Sequence, residues 1–296
     1  MLINRANIES IFTGYKTIFN QAFAGAESHF QKIAMVVPSG ASEETYAWLG
    51  NNTVIREWIG DRIIQNLKAH GYTIKNVKVE STVSVKREDI EDDKYGLFAP
   101  MVQQLGQNAK QHPDKLIFKL LKNGFNATCY DGQNFFDTDH PVEVEGLTAS
   151  VSNFGGGDSE PWYLIDASNA VKPFIFQKRR DYSFVAMDKE NDESVFMRSE
   201  YLYGVDARVN AGYGLWQMAY ASKQTLDETT LSAAIAAMKN MKADSGDPLG
   251  IKPTHLVCSP SQELAARKLI VSALSTGGES NALAGICDLI VTPWVM

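Results

Sequence analysis

The chain has 296 residues, enough for one large domain or two modest ones, and its 44% hydrophobic and 21% charged residues suit a packed core rather than a disordered chain. A compact chain of this length buries roughly three quarters of its unfolded surface, so folding requires neither disulfides nor a structural metal. A formal net charge of −7 excludes a strongly basic coat held on nucleic acid by phosphate contacts, but not a local basic patch.

Residues 1–34 carry Ile8, Ile11, Phe12, Tyr15, Ile18, Phe19 and Phe23 at three- and four-residue spacing, which predicts an amphipathic helix capped by Asn7 or Ser10. So aromatic a stripe must pack on something, either this chain's own core or a neighbouring subunit. The period then shortens. IAMVVPS is a short apolar run stopped by Pro38 and Gly40, and TYAWLG alternates up to Gly50. Residues 56–86 read as a long two-stranded hairpin with its tip near 68–72, alternating through Val77, Val79, Val83 and Val85. An arm of ~12 residues at ~3.3 Å each reaches about 40 Å. Two strands alone are marginal in water, so such an arm implies a partner surface; the plainer reading is a hairpin packed inside an ordinary domain.

The acidic run REDIEDD lacks the pattern of a calcium loop and reads as favourable charge at a helix N-terminus. Residues 97–123 keep a helical period through Phe98, Met101, Val102, Leu105, Ala109, Leu116, Ile117, Leu120 and Leu121, with Gly124 as the stop and Pro113 as a kink or a split. Residues 128–160 are rich in loop formers, and Gly155–Gly157 is expected as a flexible hinge or tip. From 161 onward WYLIDAS, PFIFQKRR, SFVAMD and VFMRSEYLYGVD predict strands, with another following Gly214. Leu226 to Met241 predicts a helix capped by Asp227. THLVCSP predicts a buried strand, SQELAARKLIVSAL a helix capped by Ser261, and DLIVTPWV a closing strand. Mixed helices and strands in this order indicate an α+β architecture.

Chemistry is sparse. His140 stands in FDTDHP with Asp137 and Asp139, which could make a metal site or an acid–base pair, but no second histidine falls at a completing spacing, and these residues also form turns before proline. His29, His70, His112 and His255 follow no motif. There is no nucleophile elbow, and Gly212 and Gly214 lack the third glycine of a dinucleotide loop. Lys178, Arg179 and Arg180 could meet a phosphate or a neighbour's acidic face, the plainer reading being a solvated strand end. Cys129, Cys258 and Cys287 have neither zinc nor redox spacing, and reduced thiols in a cytosolic fold are expected. The N-terminus has no apolar signal-peptide run, and no apolar stretch reaches the about 20 residues of a membrane span, so no membrane partner is expected. No catalytic, cofactor or metal residue is assigned. The alternative kept open is a metal-dependent or acid–base enzyme using Asp137, Asp139 and His140.

Several blocks carry a resemblance. KIAMVV with TYAWLG, REWIGDR, KAHGYTI, EDIEDD with YGLFAP, PDKLIFKLLKNGF, CYDGQNFFDTDHPV, AVKPFIFQKRR, AGYGLWQMA and LGIKPTHLV occur in one order from about residue 32 to 258. On these blocks the chain resembles the major head proteins of phage Mu and its prophage relatives, the Mu gpT family, and CYDGQNFFDTDHPV is the specific run. The resemblance implies the Hong Kong 97 (HK97)-type phage capsid fold. Its parts would be an N-terminal arm (1–34), a peripheral lead-in (35–55), an extended hairpin loop (56–86), a peripheral domain with the spine helix (87–159), a mainly axial domain (160–250) and a return to the peripheral domain (251–296).

It also implies a structural protein that is not an enzyme and takes no cofactor. The subunit would be made in the bacterial host cytoplasm and would end in the virion. Its partners would be copies of itself in hexamers and pentamers of an icosahedral shell, a portal protein, and packaged double-stranded DNA held without sequence-specific contacts. The short arm suggests a separate scaffold protein. Contact candidates between subunits are Ile63, Ile64, Leu67, His70, Tyr72 and Ile74 on the hairpin, Phe12 and Phe19 on the arm, and Arg179 and Arg180 in the basic cluster.

Overall fold

The structure, a computed structural model, describes residues 3–47, 49, 71–92, 94–144, 147–242, 248–275 and 277–296. Helix α1 (Arg5–Gly25) begins where the Asn4 side chain accepts from the Asn7 amide at 2.9 Å, so the cap is Asn4 and both expected caps lie inside the helix. One turn, α2 (Phe30–Ile33), leads into β1 (Ala34–Pro38) and β2 (Glu43–Tyr46). Strand β3 (Tyr72–Lys75) pairs antiparallel with β2, Tyr46 opposite Tyr72 and Glu43 opposite Lys75. Tyr72, expected near the hairpin tip, therefore lies in a paired strand opposite Tyr46. Ile63, Ile64, Leu67 and His70, expected along that hairpin, lie outside the described residues.

Strand β4 (Val77–Lys86), expected as the returning leg, pairs along its whole length with β9 (Glu200–Tyr213). A period of two reports which face of a strand is buried and nothing about which strand lies beside it. Short α3 (Arg87–Glu91) places Glu88 and Asp89 in its first turn, as the acidic run predicts. Helix α4 (Ala99–Asn123) is one unbroken rod of 25 residues, about 37 Å at 1.5 Å per residue. Pro100 lies in the first turn, where a missing N–H is harmless. Pro113 neither splits nor ends the rod: its ring is buried, and its lack of an N–H costs one intrahelical bond. Buried Asp114 beside it accepts from Ser28 Oγ (2.8 Å) and from the His29 and Phe30 amides (3.0 and 2.8 Å), which ties the α1–α2 junction to the rod.

A hairpin of β5 (His140–Val144) and β6 (Leu147–Val151) precedes β7 (Trp162–Ile165). The two strands expected at PFIFQKRR and SFVAMD are a single strand, β8 (Phe174–Met187), whose register shifts around Arg180. Helix α5 (Glu193–Arg198) occupies the start of the segment expected as strand VFMRSEYLYGVD and ends at Ser199 with φ 53°. Then come β9, β10 (Ala219–Ser222), α6 (Glu228–Lys239) with a reciprocal Asp227–Thr230 cap, β11 (His255–Cys258), α7 (Glu263–Ile270) and β12 (Asp288–Val291). Ser261 does not cap α7. It lies in a single turn before the helix and donates to the Glu160 carboxylate.

Among the described residues, two four-stranded sheets, ordered β1-β8-β9-β4 and β10-β7-β11-β12, stand beside the small β2–β3 and β5–β6 pairs. The helices α1 and α4 cover the first: Ile8, Ile11, Tyr15 and Phe19 pack with Val102, Leu105, Phe184 and Tyr203. The last turns of α4 (Ile117, Phe118, Leu121) instead join a larger core with Trp162, Tyr163, Phe174 and Tyr213, so one rod braces both cores. Strands β11 and β12 share a sheet with β7 and β10, and the final turn, 293–295, brings the chain back to α4, with Lys115 Nζ 4.8 Å from the Trp294 ring. The triple glycine is no hinge. The Gly155 amide donates to Ala221 and the Lys223 amide to Gly156, both at 2.8 Å, and a Cβ on Gly157 would stand 2.4 Å from the Lys223 carbonyl.

Candidate assembly surfaces and a buried polar clasp

The loop between α4 and β5 holds the residues that suggested chemistry. Its turn at Cys129–Gly132 needs the positive φ (89°) of Gly132. That turn aims Asp131 inward, where Oδ1 accepts from Cys129 Sγ–H and from the Gln133 amide (3.0 Å each) and Oδ2 accepts from His140 Nδ1 (2.7 Å). The His140 ring is wholly buried and stacks on Trp216, with centroids 3.9 Å apart and planes 9° from parallel. Its Nε2 faces Asn153 Oδ1 at 3.2 Å. Asn153 Nδ2 in turn donates to the carbonyls of Phe135, Trp216 and Ala219 (2.8, 3.3 and 3.3 Å).

Burial alone would raise the Asp131 carboxyl, but the hydrogen bonds from His140, Cys129 and Gln133 outweigh it and hold the group below the usual carboxylate range. Burial, with the Asp131 charge beside it, pushes the Cys129 thiol up, so the sulfur keeps its proton and is a poor nucleophile or metal ligand. The potential ligand atoms of Cys129, Asp131 and His140 lie within 4.8 Å of one another, yet hydrogen bonds to Asp131 join them into a closed clasp. Asp137 instead accepts from the Asn134 and Thr138 amides, and its carboxylate holds the exposed Asp139 above its ordinary value. His140 thus meets neither aspartate it was grouped with. The expected constellation is two surface turn residues and one core histidine. Asp131 and Asn153, the residues that organise the clasp, were missed; the Asp-Gly pair at 131–132 marked only a turn.

Of the contact candidates, Phe19 and Ile74 are buried within the chain. Phe12 and Phe19 both pack on Phe184, with centroids 5.7 and 5.3 Å away, so the arm's aromatic stripe covers its own sheet. Ile74 packs over Gly212, and the Tyr72 hydroxyl accepts from the Tyr213 amide at 3.0 Å. Arg179 and Arg180 are exposed at the register shift of β8, in mid-strand rather than at a strand end. Together with Lys78, Arg208, Ser39 and Gly40 they line a cleft open to solvent. Lys78 and Arg208 were not foreseen there, because they stand 130 residues apart in the sequence and only the β4–β9 pairing brings them together.

The profile of the family described as Mu-like prophage major head subunit gpT matches residues 8–295. The chain is 43% identical to the major capsid protein of Escherichia phage Mu over the whole of both chains. It is also 43% identical to the Mu-like prophage FluMu major head subunit of Haemophilus influenzae, covering 89% of this chain and 88% of that one. Among solved structures, the chain of the bacteriophage JBD30 procapsid matches over 99% of this chain and 100% of its own, with a TM-score of 0.88 and 42% identity. The JBD30 capsid chain matches over 100% of both, with a TM-score of 0.78 and 31% identity. The fold is the α+β, HK97-type capsid fold, and the protein is a structural part of the virion, not an enzyme. Among the described residues no helix is long and apolar enough to cross a membrane. In sequence along its full length and in fold, this chain belongs to the Mu-like prophage major head subunit family, the major capsid proteins of Mu-like phages.

Proposed function

We propose that the subunit closes into an icosahedral shell of hexamers and pentamers, guided by a separately encoded scaffold, interrupted by a portal and filled with double-stranded DNA that it does not grip. The observation that carries this reading is the full-length likeness to a procapsid chain. Two physical features agree with it. The long α4 rod braces both cores, which suits a tile that must keep its shape while its edges meet neighbours at slightly different angles. A net charge of −7 leaves the subunit with little general attraction for phosphate, which suits a genome that is pumped in and later released.

Expression of the chain with scaffold and portal genes of a Mu-like phage, followed by electron microscopy, tests the reading. Closed shells that contain no tightly bound host nucleic acid are the expected result. A chain that stays monomeric with and without scaffold would sink it. Shells whose inner wall holds nucleic acid with a steep salt dependence would sink the DNA part alone.

A further inference from the structure

In the first sheet, the register brings three cations from three adjacent strands into one row: Lys78 on β4 stands opposite Arg208 on β9, and Arg208 stands opposite Arg180 on β8. At about 4.8 Å between strands, three positive side chains share roughly 10 Å, and like charges directly opposite one another on a sheet are destabilising. The register shift of β8 adds Arg179 to the same cleft. The anions nearby are already engaged. Asp206 in the next row takes Arg180, Glu80 accepts from Thr82 Oγ1, and Glu44, which also feels Arg179, is held by Ser39 Oγ and the Gly40 and Ala41 amides. Among the described residues Lys78, Arg179 and Arg208 have no carboxylate partner. The Arg208 Nε is buried and has no acceptor at all, which a native interior rarely leaves unexplained.

The same strands end in the opposite charge. From Lys78 the strand β4 runs about 30 Å to α3, where Glu88 is exposed and carries no ion pair among the described residues. Beside it, Glu190 in the segment joining β8 to α5 and Glu193 in the first turn of α5 are exposed and also without an ion pair among the described residues, although Glu190 lies close enough to Arg87 to feel its charge. Phe196 and Met197 protrude from α5 at this end, 81% and 70% exposed.

We propose that the acidic end of one subunit, around Glu88 and Glu190, docks head-to-tail into the cleft of Lys78, Arg179, Arg180 and Arg208 on the next copy. A contact between two different patches of one chain closes into a ring when the rotation permits, which is what a capsomer requires. It also lets subunits of net charge −7 approach one another, with opposite charges leading the encounter. Every copy carries both halves. A phosphate of packaged DNA would fit the same cations, but it would not account for the exposed carboxylates at the far end of the same strands. This inference rests on the shell-subunit reading.

The test compares particle yield by sedimentation and microscopy for four chains: the wild type, K78E with R179E, E88K with E190K, and all four changes together. All four positions are exposed, so the free subunits are expected to stay folded with only small shifts in thermal melting: K78E relieves the crowding beside Arg208, and E88K removes a favourable charge from the first turn of α3. Each double reversal is expected to cut particle yield about tenfold or more, because like charges then face each other at the contact. The fourfold swap is expected to restore it. Double reversals that assemble like the wild type, or a fourfold swap that folds but does not assemble, overturn the docking and leave the shell reading intact. Intact shells emptied of DNA by K78E with R179E alone would assign the cleft to phosphate instead. A wild type that forms no particles fails the shell reading, and the docking with it.

Discussion

Asn153 is uncharged, yet five polar contacts converge on its buried amide: the Asp137 amide and the His140 ring meet Oδ1, and three carbonyls receive Nδ2. Its bonds to three carbonyls fix which way the amide points, and that places Oδ1 against the His140 ring. The ring is then held on both edges, by Asn153 and Asp131, and on one face by Trp216. Removing it would strip a buried carboxylate of its closest donor. His140→Ala is therefore expected to cost about 3–5 kcal/mol of subunit stability, the usual range for a buried pair that loses one member. Asp139→Ala, at a fully exposed position in the same motif, is expected to leave the unfolding midpoint where it was. Denaturant unfolding of the two unassembled variants measures the contrast. Equal, small effects would mean that the clasp is not structural. None of this partnership was legible in the sequence, because Asp131 and Asn153 flank His140 at distances with no periodic meaning, and only the folded loop brings all three together.

Contact between α1 and α4 depends on the absence of a side chain at one position. A Cβ at Gly106 would stand 2.6 Å from the Phe19 carbonyl oxygen and 3.0 Å from Ala22 Cβ. The obstacle includes backbone, so Gly106→Ala must push α1 off the sheet it covers, and the strain of about 1–3 kcal/mol exceeds the about 1 kcal/mol of helix propensity that alanine adds. A lower melting temperature is expected. Gly14→Ala, on the exposed face of α1 with nothing within 4 Å, is expected to raise it. If both variants melt higher than the wild type, helix propensity alone governs these two positions. The helices themselves were legible: the stripe of α1, the rod of α4 and the Asp227 cap of α6 all rest on local spacing and local hydrogen bonds. What pairs with what was not. Strand β4 lies beside β9, more than a hundred residues on, and nothing local encodes that choice. Strand β8 looked like two strands because a polar stretch at its register shift imitates a turn. Helix α5 looked like a strand because a short apolar run has no period, and here its Phe196 and Met197 face outward.

At the scale of the whole subunit, the aromatic interior sets a limit on alkaline stability. Burial pushes the Tyr15 phenol up to about 12, and burial with Glu44 nearby does the same for Tyr46. Burial raises Tyr163, Tyr182, Tyr203 and Tyr213 further still. These rings come from both larger cores and, through Tyr46, from a third small cluster with Ile74 and Ile175, so they report on the molecule as a unit. Each raised phenol holds its proton more tightly in the folded chain than in the unfolded one. Its stabilising contribution is complete below the ordinary tyrosine value of about 10 and is lost as pH rises through the folded value. Several such groups act together, and each can add up to about 1.4 kcal/mol of destabilisation per pH unit once the unfolded chain ionises and the folded one does not. Stability of the free subunit is therefore expected to hold from neutrality to about pH 10 and then fall steeply. Buried tyrosines should ionise together with loss of structure rather than ahead of it. Circular dichroism and tyrosinate absorbance, followed through one alkaline titration, give both curves. Ionisation of all 11 tyrosines near pH 10 in a subunit that stays folded would show that water reaches these rings, and that the two cores are looser than their packing indicates.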